Sequence, residues 1–134
     1  ILQDSNKIEI PTYNYSSHTR NKKIKIINKT PILIIEGIFC IYDKKLRDLL
    51  NLKVYLDISN IIRKNRRLIR DKEHRGRTKQ SILNQYNKTV HPMYKKYVEP
   101  MKEYADIIIK ENDANSPEIN KLTSHINHIL ENIL

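Results

Sequence analysis

The sequence has one cysteine, two glycines, no tryptophan and one phenylalanine in 134 residues. Cys40 alone excludes an internal disulfide and fits a reducing compartment. No apolar run approaches the length of a membrane span, and no signal-peptide pattern occurs, so a cytoplasmic protein without a membrane partner is expected. No cluster of cysteine and histidine has metal-ligand spacing, and His125 and His128 belong to an amphipathic pattern in which a surface role is the simpler reading. Internal repeats and low-complexity linkers are absent. Acidic residues are also short, with 15 Asp and Glu against 25 Lys and Arg and a net charge of +10. That balance favours a polyanionic partner, whether a nucleotide, a nucleic acid or an anionic surface. Isoleucine, lysine and asparagine are frequent together, as an AT-rich coding sequence would make them, so the arginines are the more informative cations.

The arginines concentrate in Asn60–Arg77, which reads NIIRKNRRLIRDKEHRGR. Arg63, Arg66, Arg67 and Arg70 stand at offsets of 0, 3, 4 and 7, which predicts one face of a 3.6-residue helix. Ser59 or Asn60 suits the N-cap. Gly76 between Arg75 and Arg77 predicts the turn that ends the helix. A basic helix face is commonly just solvated. The alternative is an anion site, because guanidinium forks bind phosphate oxygens bidentately.

Around this stretch the pattern alternates between strand and helix. Ile8, Ile10, Tyr13 and Tyr15, broken at Pro11, predict one arm of a hairpin or extended pair, with Lys23–Ile26 in the return arm. His18 and Arg20 lie in the polar turn between them. Residues 31–35, PILII, form a continuous apolar run that predicts a strand covered on both faces. Glu36 ends it, either as a strand-terminating acid or as a Mg²⁺ contact at the carboxyl edge of a parallel sheet. A short helix over 44–50 is expected to turn Leu46, Leu49 and Leu50 inward, and a second strand spans 53–57. Residues 78–104 read as helical with Ile82, Tyr86, Val90 and Met93 on the apolar side, and Pro92 and Pro100 predict breaks that leave a bent pair of helices. A third strand at 105–109 precedes a helix opened by Asn115-Ser116-Pro117-Glu118 and carrying Ile119, Leu122, Ile126, Ile129 and Ile133. The order predicts βαβ units in an α/β fold.

The segments PTYNYSSHTR (11–20), ILIIEGIF (32–39), LRDLLNLKVYLD (46–57), RRLIRDKEHRGRTKQSILNQY (66–86), VHPMYKKYVEP (90–100) and KEYADIII (102–109), in this order and spacing, resemble the uridine kinase (uridine-cytidine kinase) family of P-loop kinases. The likeness covers nearly the whole chain from Ile8. It implies a partial P-loop kinase fold, with residues 1–134 as the C-terminal part of one domain: a parallel sheet with flanking helices, a nucleoside-binding hairpin and an arginine lid. It implies ATP-dependent phosphorylation of uridine or cytidine in pyrimidine salvage, with ATP and Mg²⁺ as cofactors and nucleic acid not expected as a partner. A homo-tetramer is also implied.

By the same resemblance Tyr13, Tyr15 and His18 match the nucleoside-binding hairpin, and Glu36 matches the acid at the end of the Walker B strand, near Mg²⁺. Arg67, Arg70 and Arg75 match arginines that approach the nucleoside hydroxyls and the triphosphate, with Arg70 and Arg75 placed to neutralise transition-state charge. Arg77 completes the lid, and Gln85 matches a residue near the sugar. Tyr15 stands where the family usually has Phe, and Asn14 where it has Asp. Ser59 and Ile61 replace common acids. The chain holds no GxxxxGK[ST], the loop that cradles phosphates, and lacks the family's catalytic Asp that activates the 5′-hydroxyl. A fragment of a longer kinase, inactive alone, is therefore expected. Another P-loop kinase of the phosphoribulokinase type and a non-catalytic nucleotide- or nucleic-acid-binding relative are the alternatives.

Overall fold

The computed structural model describes residues 7–14, 17, 19–28, 30–110 and 116–132. The chain divides into two compact units, Ile1–Ile34 and Ile35–Asn132 in the main.

The first unit is an antiparallel hairpin of β1 (Lys7–Asn14) and β2 (Thr19–Asn28). Pro11 sits within β1, and the register shifts between Pro11 and Tyr13. The Thr12 hydroxyl there donates to the Lys23 carbonyl at 2.6 Å and accepts from Asn21 Nδ2 at 3.2 Å. A proline has no N–H for the ladder, so a local irregularity beside it is the expected accommodation. Pairing resumes with Tyr13 opposite Arg20 and Asn14 opposite Thr19. Tyr15 and His18 lie outside the described residues.

The second unit contains α1 (Lys44–Arg47), β3 (Val54–Asp57), α2 (Asn60–Arg75), a helical stretch from Lys79 to Tyr104, β4 (Ile107–Lys110) and α5 (Pro117–Glu131). β3 and β4 pair in parallel, Val54 with Ile107 through Asp57 with Lys110. They form the two-stranded sheet predicted in part by the apolar runs at 53–57 and 105–109. Lys53 fixes its entrance: its N–H donates to Asp106 Oδ2 at 2.7 Å and its ammonium lies 2.8 Å from the same oxygen. Those bonds hold the Asp106 carboxyl below its ordinary value, against the opposing effect of burial. Ile41, Tyr55 and Met101 form one cluster of the core, with Leu50, Val98, Ala105 and Ile108 packed against it.

Three expectations are corrected here. The run 31–35 forms no strand, and Ile34 is 80% exposed. A strand buried on both faces exists only where neighbouring strands satisfy its backbone, and among the described residues β3 pairs only with β4 in this sheet. Leu49 is exposed while Leu46 and Leu50 are half-buried. α1 is one turn long and continues in tighter turns, Leu49 N–H to Leu46 O and Leu50 N–H to Arg47 O, which rotate Leu49 outward.

The third correction concerns residues 79–104. The backbone stays helical through Pro92 and Pro100 instead of breaking. α3 (Lys79–Gln85) passes into a π-helical turn at Tyr86–Val90, then α4 (His91–Met93), a second π turn at Tyr94–Val98 and a 3₁₀ stretch at Glu99–Tyr104. A π turn absorbs one extra residue, so the missing proline N–H disturbs the ladder without ending the helix. The mixture averages near four residues per turn, which puts Ile82, Tyr86, Val90, Tyr94 and Val98 inside. Met93, expected inside on a 3.6-residue period, is 45% exposed.

α5 begins as predicted. The Ser116 hydroxyl accepts from Ile119 N–H at 3.2 Å, with Pro117 in the first turn and Glu118 beside it. Ile119, Leu122, Ile126 and Ile129 are half-buried along one side, and His125 and His128 are exposed. Asn115 and Ile133 lie outside the described residues. No helix among the described residues is long and apolar enough to cross a membrane.

Candidate functional site

α2 starts where Ser59 Oγ accepts from Ile62 N–H and ends at Gly76, whose φ of 59° lies in the left-handed region that favours glycine. The Asp71 carbonyl accepts both the Gly76 and the Arg77 N–H. That closure turns the chain sharply, so Arg75 and Arg77 flank the turn and α3 runs back alongside. The Thr78 hydroxyl caps α3 through Ser81 N–H.

Two of the contacts that dock α2 on the helical stretch involve tyrosines. Tyr86 OH donates to Asn60 Oδ1 at 2.8 Å, and the Arg63 guanidinium lies 3.3 Å from the centre of the Tyr94 ring. The Tyr94 hydroxyl in turn meets Tyr55 OH at 2.6 Å. Burial and that contact push the Tyr55 phenol far up, so it stays neutral. Lys102 pairs with Asp57 at the carboxyl end of β3.

The face expected to bind an anion carries its own. Asp71 is fully buried, at 0% exposure, and four arginines converge on it. Its Oδ1 accepts from Arg70 Nε at 2.9 Å and lies 2.9 Å from Arg70 Nη2 and 3.2 Å from Arg75 Nη1. Its Oδ2 lies 3.4 Å from Arg67 Nε and 3.6 Å from Arg77 Nη1. Gln85 joins this second side: Oε1 accepts from Arg67 Nη2 at 3.0 Å and from Arg77 Nη1 at 2.6 Å. Arg77 Nη2 also donates to Ser81 Oγ at 3.0 Å. Burial pushes the Asp71 carboxyl up, but the Arg70 hydrogen bond and the charges of Arg70, Arg67 and Arg75 outweigh it and hold the pKa below its ordinary value.

Five of the residues expected at the site are thus brought together: Arg67, Arg70, Arg75, Arg77 and Gln85. Four cations around one carboxylate leave a net charge of about +3, the condition for attracting a polyanion. Arg70 and Arg75 keep 48% and 55% of their side chains exposed, so both have surface to offer a further anion. Arg66 is exposed and stands outside the cluster, so the predicted four-arginine face is really Arg63, Arg67 and Arg70, each turned toward a partner.

Glu36 belongs to the exposed irregular stretch and joins none of these pairs. No group of three or more potential metal ligands occurs among the described residues. A lone carboxylate suits Mg²⁺ only as one ligand of an ion otherwise held by phosphates and water. Tyr13 is partly exposed opposite Arg20, in the hairpin unit.

Asp71 is the residue that the sequence reading passed over. It had a signal: it lies four residues after Arg67 and four before Arg75, the helical ion-pair spacing on both sides.

The parallel strands and flanking helices of this α/β chain are those of part of a P-loop kinase fold. The model of the Phosphoribulokinase / Uridine kinase family matches residues 1–116, and the chain belongs to that family. It is similar to a uridine kinase of Macrococcus caseolyticus, 42% identical over 130 residues, covering 97% of this chain and 63% of the relative. A uridine kinase of Lactobacillus johnsonii is 42% identical over 132 residues, 98% of this chain and 63% of that protein. One of Listeria monocytogenes serotype 4b is 44% identical over 124 residues, 92% of this chain and 59% of that protein. The chain spans about 60% of the length of these curated relatives.

Proposed function

We propose that the protein to which this chain belongs transfers the γ-phosphoryl group of ATP to the 5′-hydroxyl of uridine or cytidine. The hydroxyl oxygen attacks the γ-phosphorus as its proton passes to a general base supplied elsewhere in the protein, the bond to the bridging oxygen breaks, and ADP leaves. The observation that carries this reading is the gathering of Arg67, Arg70, Arg75, Arg77 and Gln85 at one glycine turn. Phosphoryl transfer needs positioned cations where charge spreads over the transferred group. Arg70 and Arg75 supply them, Arg67 and Gln85 face the sugar hydroxyls, and Tyr13, Tyr15 and His18 receive the base. Glu36 serves on the Mg²⁺ side, where the ion would screen phosphate charge. Closure of the lid excludes water from the donor.

Within this reading the chain supplies the nucleoside hairpin, one carboxylate and the lid, while the phosphate-cradling loop comes from elsewhere in the protein. The test is a substrate panel on the full-length protein: uridine, cytidine, adenosine and ribulose 5-phosphate with ATP and Mg²⁺. Phosphorylation confined to the pyrimidine nucleosides supports the reading, and preference for the phosphopentose replaces it with a phosphoribulokinase-like activity.

A further inference from the structure

We propose that Asp71 is a positioning residue that divides the lid arginines into two working pairs, one aimed at the phosphate chain and one at the sugar. This rests on the kinase reading above and deepens it. The geometry separates the pairs by oxygen. Oδ1 holds Arg70 and Arg75, and both extend exposed surface beyond it. Oδ2 faces Arg67 and Arg77, which share the Gln85 amide oxygen and are the less exposed pair.

The same residue also sets the backbone on which the pairs ride. Its carbonyl closes the helix end by accepting from Gly76 and Arg77. Carbonyl and carboxylate of one residue therefore fix where the turn falls and which way its guanidiniums point. Without the carboxylate, four neighbouring cations repel one another and spread. Asp71 reaches the reacting atoms only through arginines, since it is wholly buried beneath them.

Two effects then separate on neutralising it. Attraction of a bound triphosphate depends on net positive charge, which Asp71→Asn raises by one. Stabilisation of the transition state depends on alignment, which the substitution removes. In the full-length protein Asp71→Asn is expected to lower kcat about 100-fold while the ATP KM stays within about threefold of wild type. A role confined to holding the fold would instead lower thermal stability and leave kcat per folded molecule unchanged.

The deciding experiment measures kcat, ATP KM and uridine KM for wild type, Asp71→Asn and Gln85→Met, with thermal unfolding of each. Should Asp71→Asn not fold, Gln85→Met decides, because Gln85 is exposed and its loss leaves the core intact. It is expected to raise the uridine KM about tenfold and leave the ATP KM unchanged. The proposal is overturned by near-wild-type kcat in folded Asp71→Asn, by parallel loss of kcat and ATP affinity there, or by equal rises of both KM values in Gln85→Met. A wild-type protein that does not phosphorylate uridine overturns the kinase reading itself, a result distinct from all of these.

Discussion

Arg77 Nη1 donates to Gln85 Oε1 at 2.6 Å, which ties the residue just beyond the Gly76 turn to the end of α3. Arg67, one element earlier, reaches the same oxygen at 3.0 Å. A single amide oxygen thus staples α2, the turn and α3 together. The turn is the covalent connection between the two helices, so its conformation sets where Arg77 stands relative to Asp71.

Substitution of Gly76 by alanine therefore tests backbone strain in isolation. A Cβ there would meet nothing within 4 Å, but φ is 59°. The expected cost is about 1 kcal/mol from the left-handed conformation alone. Denaturant unfolding checks it, and a loss near zero would show that the turn relaxes.

Arg75→Ala in the full-length protein is expected to lower kcat by about 100-fold or more with a much smaller rise in nucleoside KM. Arg75 pairs with Asp71 at 3.2 Å and is largely exposed, as a residue held in reserve for developing charge would be. Steady-state kinetics with varied uridine decides the point. A rise in KM that equals the fall in kcat/KM would assign Arg75 to ground-state binding instead.

The acid limb of stability carries a signature of Asp71. Its folded pKa lies below the ordinary value, so its contribution is complete above about pH 4 and is lost as pH falls further through the folded value. The stability gap between wild type and Asp71→Asn is expected to be constant from neutral pH down to about pH 4 and to close below it. Thermal unfolding across pH 2 to 7 measures this, and a gap that stays open in acid contradicts it.

Ile82, at 1% exposure, is the buried residue of α3. Ile82→Ala is expected to cost about 2–4 kcal/mol, the combined loss of transfer and cavity terms. Tyr55 and Tyr94 share a hydroxyl pair at 2.6 Å. A double-mutant cycle of Tyr55→Phe and Tyr94→Phe should return a coupling of about 1 kcal/mol, and an additive result would show the pair to be dispensable.

Much of the local structure was legible in the residues. Ser59 and Gly76 bound α2 where the cap and the left-handed turn were expected, and Ser116-Pro117-Glu118 opened α5. These signals act within a few residues of themselves, so no distant contact is needed to read them. The parallel strands at 54–57 and 107–110 were legible for a related reason, as apolar runs too short for helices. The ordered segments also pointed to the family that the comparison shows.

Other features depended on what surrounds each residue. The run 31–35 has strand composition, but composition does not supply a neighbour to pair with, and the segment is irregular. Met93 has a core side chain, yet two π turns change the period of its helix and carry it outward. Asp71 sits in a run of cations and reads as one more charge on a wet surface. Its full burial appears only once the Gly76 turn brings Arg77 back over it and Gln85 arrives on α3. The sequence by itself determined which residue types were present, their helical phase and the place of the turn. Only the tertiary structure decided which charges meet, because an ion pair depends on distance and desolvation, and both are properties of the folded chain.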